Sequence, residues 1–131
     1  MKIVRMLAFF VLALFLSVSC WAADAVKNIN IKDASALLKN PPQDMLILDV
    51  RTPEEFRTGH LANARNMDFF GNKFDIEIRA LPKDQPIMVY CRSGRRSAGA
   101  AEELAKTGHT NIFHMEEGLD GWQNAKLPVE K

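Results

Sequence analysis

Cysteine is scarce in this sequence, and it contains no long hydrophobic segment. Of the 131 residues, only Cys20 and Cys91 are cysteines, which excludes the disulfide framework that holds together many small secreted domains. The longest apolar run, Met6 to Leu16, has 11 residues, whereas a helix needs roughly 20 to cross a bilayer. We therefore expect a domain that is stabilised by a hydrophobic core and has no membrane span.

An excess of charge of either sign is also lacking. The formal net charge is +1, with 25% charged and 47% hydrophobic residues, which is ordinary for a globular protein and does not indicate a nucleic-acid partner. The length suits one domain with a modest core. The sequence has no metal-binding or nucleotide-binding motif, so we expect no metal and no cofactor. His109 and His114 lack the spacing of metal ligands and are expected at surface or packing positions.

The first two dozen residues have the layout of a secretory signal peptide. Basic residues precede the apolar run, and small residues follow it, ending with Ala22 and Ala23. We expect residues 1–22 to be removed and residues 23–131 to form the domain, with cleavage after Ala22 or, alternatively, after Ala23. An N-terminal anchor that is not cleaved is the other interpretation.

Cys20 raises the question of a lipid anchor. A lipoprotein signal places the lipidated cysteine after a Leu-rich tripeptide, but the residues before Cys20 are Ser17-Val18-Ser19. Lipidation is therefore the minor alternative. If cleavage follows Ala22, the processed chain keeps Cys91 as its single cysteine, and a lone thiol in an oxidising compartment has to be buried or used.

Short apolar runs alternate with helical segments along the rest of the chain. The runs Met45 to Val50 and Pro86 to Tyr90 are almost continuously apolar, as parallel strands buried on both faces are. Thr52 and Glu55, with a proline between them, form a capping box that begins a helix. The pattern predicts strands at 26–31, 45–50, 64–67, 86–90 and 111–115, and helices at 33–38 with Asp33 as its cap, 53–58, 69–80, 98–106 and 118–124.

This order predicts an α/β fold with a mainly parallel central sheet of about five strands and helices on both faces. Ligands of such sheets bind at the carboxyl ends of the strands. Cys91 follows the strand that ends at Tyr90 and precedes a helix. The thiol thus lies where the fold places binding sites.

The residues around Cys91 favour a reactive thiolate. A helix N-terminus and nearby cations lower a thiol pKa from about 8.5 to roughly 3.5–7.5. Gly94 allows a tight turn whose N–H groups point inward. Hydroxyl and guanidinium groups complete an anion-binding loop; they belong to Arg92, Ser93, Arg95, Arg96 and Ser97. Arginines oppose the dipole at a helix N-terminus, so their presence suggests a bound anion. The alternative is a structural cysteine with solvated arginines.

In four segments the sequence resembles the rhodanese homology domain. The segments follow the family's order and span about residues 28 to 128. They are Leu48-Asp49-Val50-Arg51-Thr52-Pro53-Glu54-Glu55-Phe56, Gly59-His60-Leu61-Ala62-Asn63-Ala64, Val89-Tyr90-Cys91-Arg92-Ser93-Gly94-Arg95-Arg96-Ser97-Ala98 and Glu117-Gly118-Leu119-Asp120-Gly121-Trp122. The exported single-domain form is similar to the periplasmic rhodaneses of Gram-negative bacteria, which implies a rhodanese-like fold and a periplasmic location.

The resemblance implies a thiosulfate sulfurtransferase. The family's nucleophile matches Cys91, which would attack the outer sulfur of thiosulfate, release sulfite and hold the sulfur as a persulfide for a thiol or cyanide acceptor. The family's active loop matches Cys91 to Arg96, and its backbone N–H groups would surround the persulfide. Arg92 and Arg96 would contact the substrate anion, together with Ser93, Gly94 and Arg95.

Three further residues are expected to support the loop. Asp49 matches the family's acidic residue and would order the loop by accepting hydrogen bonds, with Arg51 beside it and Ser97 as a hydroxyl donor. We expect a small anionic sulfur donor and a thiol or cyanide acceptor as partners, and a monomer or weak dimer. Other polar and aromatic residues are assigned no chemistry: His60 is expected to be structural, Trp122 to be core or a helix anchor, and Glu54, Glu55, Glu102 and Glu103 to be solvated helix positions.

Two other functions stay open. The first is a non-catalytic rhodanese-fold sulfur carrier, sensor or partner-binding module. The second is a cysteine phosphatase or arsenate reductase, in which five residues separate the cysteine from an arginine. Counting from Cys91, that arginine would fall at Ser97, and the last arginine is Arg96, one residue earlier. A shorter loop makes a smaller cradle, which suits a sulfur atom better than a phosphate group.

Overall fold

The computed structural model describes residues 24–131. The expected signal peptide, its cleavage site and Cys20 lie outside these residues. Ten elements alternate along the described chain: β1 (Val26–Ile29), α1 (Ile31–Lys39), β2 (Leu46–Asp49), α2 (Pro53–Arg57), β3 (Arg65–Asn66), α3 (Phe74–Arg79), β4 (Ile87–Tyr90), α4 (Arg95–Lys106), β5 (Ile112–Met115) and α5 (Gly118–Asn124). Within residues 24–131, no helix is long and apolar enough to cross a membrane.

The five strands form one parallel sheet in the order β1-β5-β4-β2-β3. The predicted α/β fold with a mainly parallel sheet of about five strands is confirmed. Strand β4 lies at the centre of the sheet and is buried along its whole length, because apolar side chains on both of its faces are covered by helices. Its carboxyl end leads directly into Cys91.

Two hydrophobic clusters cover the two faces of the sheet. Successive residues of β4 alternate between them, since side chains of a strand point to opposite sides. Ile87, Val89 and Cys91 pack with residues of α3 and α4, whereas Met88 and Tyr90 pack with residues of α1 and α5. The expected helices on both faces are therefore present, and the cysteine points towards the α4 side.

Three predicted helix starts are wrong. Helix α1 begins at Ile31, because Asn30 rather than Asp33 is its cap: the Asn30 side chain accepts a hydrogen bond of 2.8 Å from the Asp33 backbone N–H. The helix that was predicted to begin at residue 69 begins only at Phe74. The residues before it form a turn instead, in which backbone N–H groups donate to the carbonyl and carboxylate oxygens of Asp68. Helix α4 starts at Arg95, three residues earlier than predicted.

Candidate active site

The site is built around Cys91, the first residue after β4. The side chain belongs to the core cluster on the α4 side and is 1% exposed. The chain then turns through residues 92–94 and enters α4 at Arg95. In the structure the thiol thus lies where the sequence predicts it, between a buried strand and a helix N-terminus.

Two glycines let the segment after Cys91 pack tightly. Gly94 is the N-cap of α4 with φ 99°, and a Cβ at this position would collide with the carbonyl oxygen of Glu116. Gly118 has φ 62°, and a Cβ there would collide with the carbonyl oxygen of Arg92. Both positions combine a left-handed backbone with a close backbone approach, which only glycine tolerates without strain.

Helix α5 orients the backbone of this loop. The N–H of Leu119 donates to the carbonyl oxygen of Cys91 at 2.8 Å, and the N–H of Asp120 donates to that of Arg92 at 2.9 Å. Because these carbonyl groups point towards α5, N–H groups of the loop can point towards the sulfur. The N–H of Gly94 donates to Cys91 Sγ at 3.0 Å. The loop therefore forms the inward-facing cradle that the sequence predicts.

The surroundings of Cys91 lower the pKa of its thiol. Burial alone would raise it, because a charged group is costly in an apolar environment. That effect is outweighed by the Ser97 hydroxyl, 3.3 Å from Sγ, and by the backbone N–H groups of Ser97, Gly94 and Ser93. Hydrogen bonds to the charged form thus favour a thiolate at the carboxyl end of β4.

The three arginines of the loop have different environments. Arg92 and Arg95 are exposed, whereas Arg96 is half-buried. Arg92 also lines a cleft of about 410 Å³, whose wall includes Arg51 and Glu55. Arg96 is directed at Glu55: its Nη1 and Nη2 donate to the two carboxylate oxygens at 2.7 and 2.9 Å.

The expectation that Glu55 is an ordinary solvated position is wrong. Its side chain is 32% exposed and forms the bidentate pair with Arg96, which is 18% exposed. The same carboxylate completes the capping box of α2 with Thr52. The hydrogen bonds from Arg96 lower the pKa of Glu55 to about 2, against the opposing effect of burial. The helix-start motif was predicted correctly, but the partner across the site was not.

Asp49 and Arg51 form a buried pair at the carboxyl end of β2. The carboxylate of Asp49, 0% exposed, accepts from the Arg51 backbone N–H at 2.9 Å and from its guanidinium at 2.7–3.1 Å. The guanidinium also donates to the carbonyl oxygen of Gly59 at 2.7 Å. Asp49 was expected to order the cysteine loop. Its hydrogen bonds with Arg51 instead order the neighbouring segment between β2 and the end of α2.

Ser97 and His114 connect the sulfur to the edge of the sheet, on the face that α4 covers. Ser97 is fully buried, and its Oγ lies 2.7 Å from His114 Nε2. The other ring nitrogen of His114 lies 3.0 Å from Asn28 Oδ1. The expectation of a surface or packing role for His114 missed this contact, because no local pattern marks a histidine 17 residues from Ser97 as its partner.

The remaining histidines have structural surroundings. His109 is 1% exposed, and its Nε2 lies 2.8 Å from the carbonyl oxygen of Ile78. His60 stacks on Phe56 with ring centroids 3.7 Å apart, and its Nδ1 lies 2.9 Å from the Phe56 carbonyl oxygen. Within the described part of the chain, no group of three or more His, Cys, Asp or Glu residues is arranged to hold a metal ion.

Comparisons with known proteins bear on this site. A family model described as a rhodanese-like domain matches residues 30–125. A sulfurtransferase of Allochromatium vinosum is 31% identical over 66% of this chain and 79% of its own length. The thiosulfate sulfurtransferase GlpE of Vibrio cholerae is 28% identical over 82% of this chain and 97% of its own length. A rhodanese-related protein from Thermoplasma volcanium has a similar crystal structure, with a TM-score of 0.69 and 32% identity, covering 79% of this chain and 97% of that one.

Proposed function

This chain belongs to the rhodanese-like domain family, and on that premise we propose that it transfers sulfane sulfur from thiosulfate, or a similar anionic donor, to a thiol or cyanide through a persulfide on Cys91. Relatives named sulfurtransferases support the reaction class. The observation that carries the proposal is the N–H of Gly94 donating to Cys91 Sγ at 3.0 Å, within a loop that lowers the thiol pKa.

In the first half-reaction the Cys91 thiolate attacks the outer sulfur of thiosulfate. A bond forms between Sγ and that sulfur while the sulfur–sulfur bond of thiosulfate breaks, and sulfite leaves with the electron pair. The negative charge then rests on the outer persulfide sulfur. Inward-facing backbone N–H groups of the loop are suited to stabilise it there.

In the second half-reaction an acceptor thiolate or cyanide attacks the outer sulfur. The persulfide bond breaks, its electron pair returns to Cys91 Sγ, and the product leaves with the transferred sulfur. The hydrogen bonds of Gly94 and Ser97 to Sγ favour this step, because they stabilise the thiolate as the leaving group. Donor and acceptor bind in turn, which gives ping-pong kinetics.

The donor anion is recognised by the charged rim of the loop. The exposed guanidinium groups of Arg92 and Arg95 attract it to the mouth of the site. In this proposal Ser93 and Gly94 contribute the backbone cradle. Arg96, whose charge is balanced by Glu55, fixes the start of α4.

Export to the periplasm is the proposed setting of this chemistry. It is supported by the sequence of residues 1–22, where a basic start, an apolar run and small residues succeed one another. Expression of the full chain in a Gram-negative host, followed by cell fractionation and intact mass, tests this proposal. A protein that stays in the cytoplasm with residues 1–22 attached would contradict it.

The transfer proposal is tested by mass and by turnover. Incubation with thiosulfate should add the mass of one sulfur atom at Cys91, and later addition of cyanide should remove it and produce thiocyanate. Cys91→Ser is the matched variant, since it keeps a small polar group at the site and removes the sulfur. No sulfur adduct on the unaltered protein with thiosulfate or an organic sulfane donor would overturn the proposal.

A sulfur carrier or sensor without steady turnover is the second candidate. It is favoured by the burial of Cys91, which is 1% exposed, because a buried persulfide is shielded from acceptors. The same mass experiment separates the two functions. A persulfide that forms but is discharged by neither cyanide nor small thiols indicates the carrier.

A further inference from the structure

A chain of side-chain contacts runs from the buried sulfur to the edge of the sheet. Ser97 Oγ lies 3.3 Å from Cys91 Sγ and 2.7 Å from His114 Nε2. His114 Nδ1 lies 3.0 Å from Asn28 Oδ1. Asn28 is exposed on β1, which is an edge strand, and is the register partner of His114 on β5. The Cys91 thiol is 1% exposed. The three contacts thus connect a buried thiol to an exposed residue.

The protons in this chain are limited in number. The Ser97 hydroxyl has a single proton and three possible acceptors: His114 Nε2, Cys91 Sγ and the Gly94 carbonyl oxygen at 3.1 Å. The His114 contact is the shortest of the three. Asn28 Oδ1 accepts at the other side of the ring, which places a proton on Nδ1 and leaves Nε2 as an acceptor for Ser97.

We propose that Ser97 and His114 carry the proton of Cys91 away from the buried sulfur, with Asn28 holding the imidazole in place. The Cys91 S–H bond breaks and its proton passes to Ser97 Oγ, while the hydroxyl proton of Ser97 passes to His114 Nε2. The electron pair stays on sulfur, so the thiol becomes a thiolate and the neutral imidazole becomes an imidazolium.

The geometry fits both states of this relay. In the thiol state Ser97 donates to Nε2, and in the thiolate state Nε2–H donates to Ser97 and Ser97 donates to Sγ. The Nδ1–H donates to Asn28 Oδ1 in both states, so no heavy atom has to move. Asn28 is exposed, so its amide group connects the imidazole to solvent at the edge strand.

The groups around His114 suit transfer rather than storage of a proton. Burial lowers the pKa of His114, while Glu116 and the Gly94 carbonyl oxygen oppose that effect. The ring is therefore neutral before the transfer, and Nε2 is free to accept the proton. The side chains that the neighbouring elements bring to this region are Asn28 on β1, Val89 on β4 and Ser97 on α4, while Glu116 acts on His114 and Arg96 on the Cys91 charge. Lys27, next to Asn28, lies over Phe113 on the other face of the sheet.

The inference rests on the proposed function, because the relay produces the thiolate that attacks the sulfur donor. Its test, however, does not require sulfur transfer. The rate of Cys91 alkylation by iodoacetamide is measured against pH on the full chain, with Cys91 resolved from Cys20 by peptide mass. A chain that takes no sulfur from thiosulfate still yields this titration curve. Failure of the relay and failure of the sulfurtransferase are therefore separate results.

Two variants should move the curve in opposite directions. His114→Gln keeps a hydrogen-bonding group near Ser97 but accepts no proton, so the midpoint should rise by roughly one pH unit or more. Its alkylation rate should fall by about tenfold at neutral pH and recover at alkaline pH. Asn28→Asp favours the imidazolium, so the midpoint should fall.

The controls separate the relay from a structural role. His109→Gln changes another buried histidine outside the chain of contacts and should leave the midpoint unchanged. An unchanged midpoint in His114→Gln, or a rate that stays low at alkaline pH, would overturn the inference. A raised midpoint in Asn28→Asp would do the same, since a carboxylate without a relay acts on the thiol only by repulsion. That variant alters an exposed position, so it answers the question even if His114→Gln does not fold.

Discussion

Arg96 and Glu55 form a bidentate ion pair that joins the start of α4 to the start of α2. The two contacts are 2.7 and 2.9 Å long and connect residues 41 positions apart. The last arginine of the cysteine loop is thereby fixed by the carboxylate that also completes the capping box of α2. The loop is held from outside as well as by its own turn.

Replacing Glu55 should therefore loosen the loop as well as α2. We expect Glu55→Gln to reduce the free energy of unfolding by about 1 kcal/mol, a value discounted for the partial exposure of the pair. Sulfur loading of Cys91 should also slow, because Arg96 is no longer fixed. Urea unfolding measures the first effect and adduct mass the second. Glu54→Gln is the matched control, since Glu54 forms only an exposed pair with Arg57; an equal loss there would contradict the argument.

The same pair should make stability depend on acid pH. The pKa of Glu55 lies at about 2 in the fold, against an ordinary value of 4.5. Because the folded pKa is the lower one, the contribution of Glu55 is complete above pH 4.5 and is lost as the pH falls towards 2. The unfolding free energy of Glu55→Gln should fall less steeply over this range than that of the unaltered protein. Parallel curves for the two proteins would refute this assignment.

Gly94 should not tolerate a side chain. Gly94→Ala combines a left-handed backbone with a collision against the Glu116 carbonyl oxygen, so we expect a loss of more than about 1 kcal/mol and little persulfide formation. Gly108→Ala is a close control, because Gly108 has φ 96° but its Cβ would meet only Cδ of Lys83, at 4.0 Å. Thermal unfolding and adduct mass of both variants separate the collision from the backbone strain. Similar results for the two would show that the collision is unimportant.

Asp49 should be essential for stability. Asp49→Ala leaves the guanidinium of Arg51 buried without its partner, which costs about 3–5 kcal/mol for a buried pair. Asp75→Ala breaks the exposed pair with Arg79, where the expected cost is below about 1 kcal/mol. Chemical denaturation of the two variants provides the comparison. An Asp49→Ala protein as stable as Asp75→Ala would show that Arg51 finds another partner.

Arg92 and Arg95 should act on donor binding. Removal of either guanidinium by substitution with alanine should lower kcat/KM for thiosulfate by about tenfold, the value of a hydrogen bond to a charged group. The loss should appear mainly in KM and should shrink at high ionic strength, because the exposed charges are screened. Lys106→Ala removes a cation at the far end of α4 and serves as the control. Unchanged kinetics in both loop variants would place the donor elsewhere.

Local patterns were sufficient for the elements and for the position of the thiol. The apolar run of β4 predicted a strand buried on both faces, and the Thr52–Glu55 capping box was predicted residue by residue. Both signals depend on neighbours a few positions apart. The Asn30 cap was missed because Asp33 is an equally good cap by type, and only the hydrogen bond between them decides which residue begins the helix.

The sequence by itself determined the α/β order, the parallel sheet and a cysteine loop of the family's length, since hydrophobic periodicity and turn residues are properties of short segments. The tertiary structure alone decided that Glu55 meets Arg96 and that His114 lies between Ser97 and Asn28. His114 and Asn28 are 86 residues apart and meet because β1 pairs with β5 at the edge of the sheet. Strand order sets such distances through the packing of the whole sheet, and no short segment encodes it.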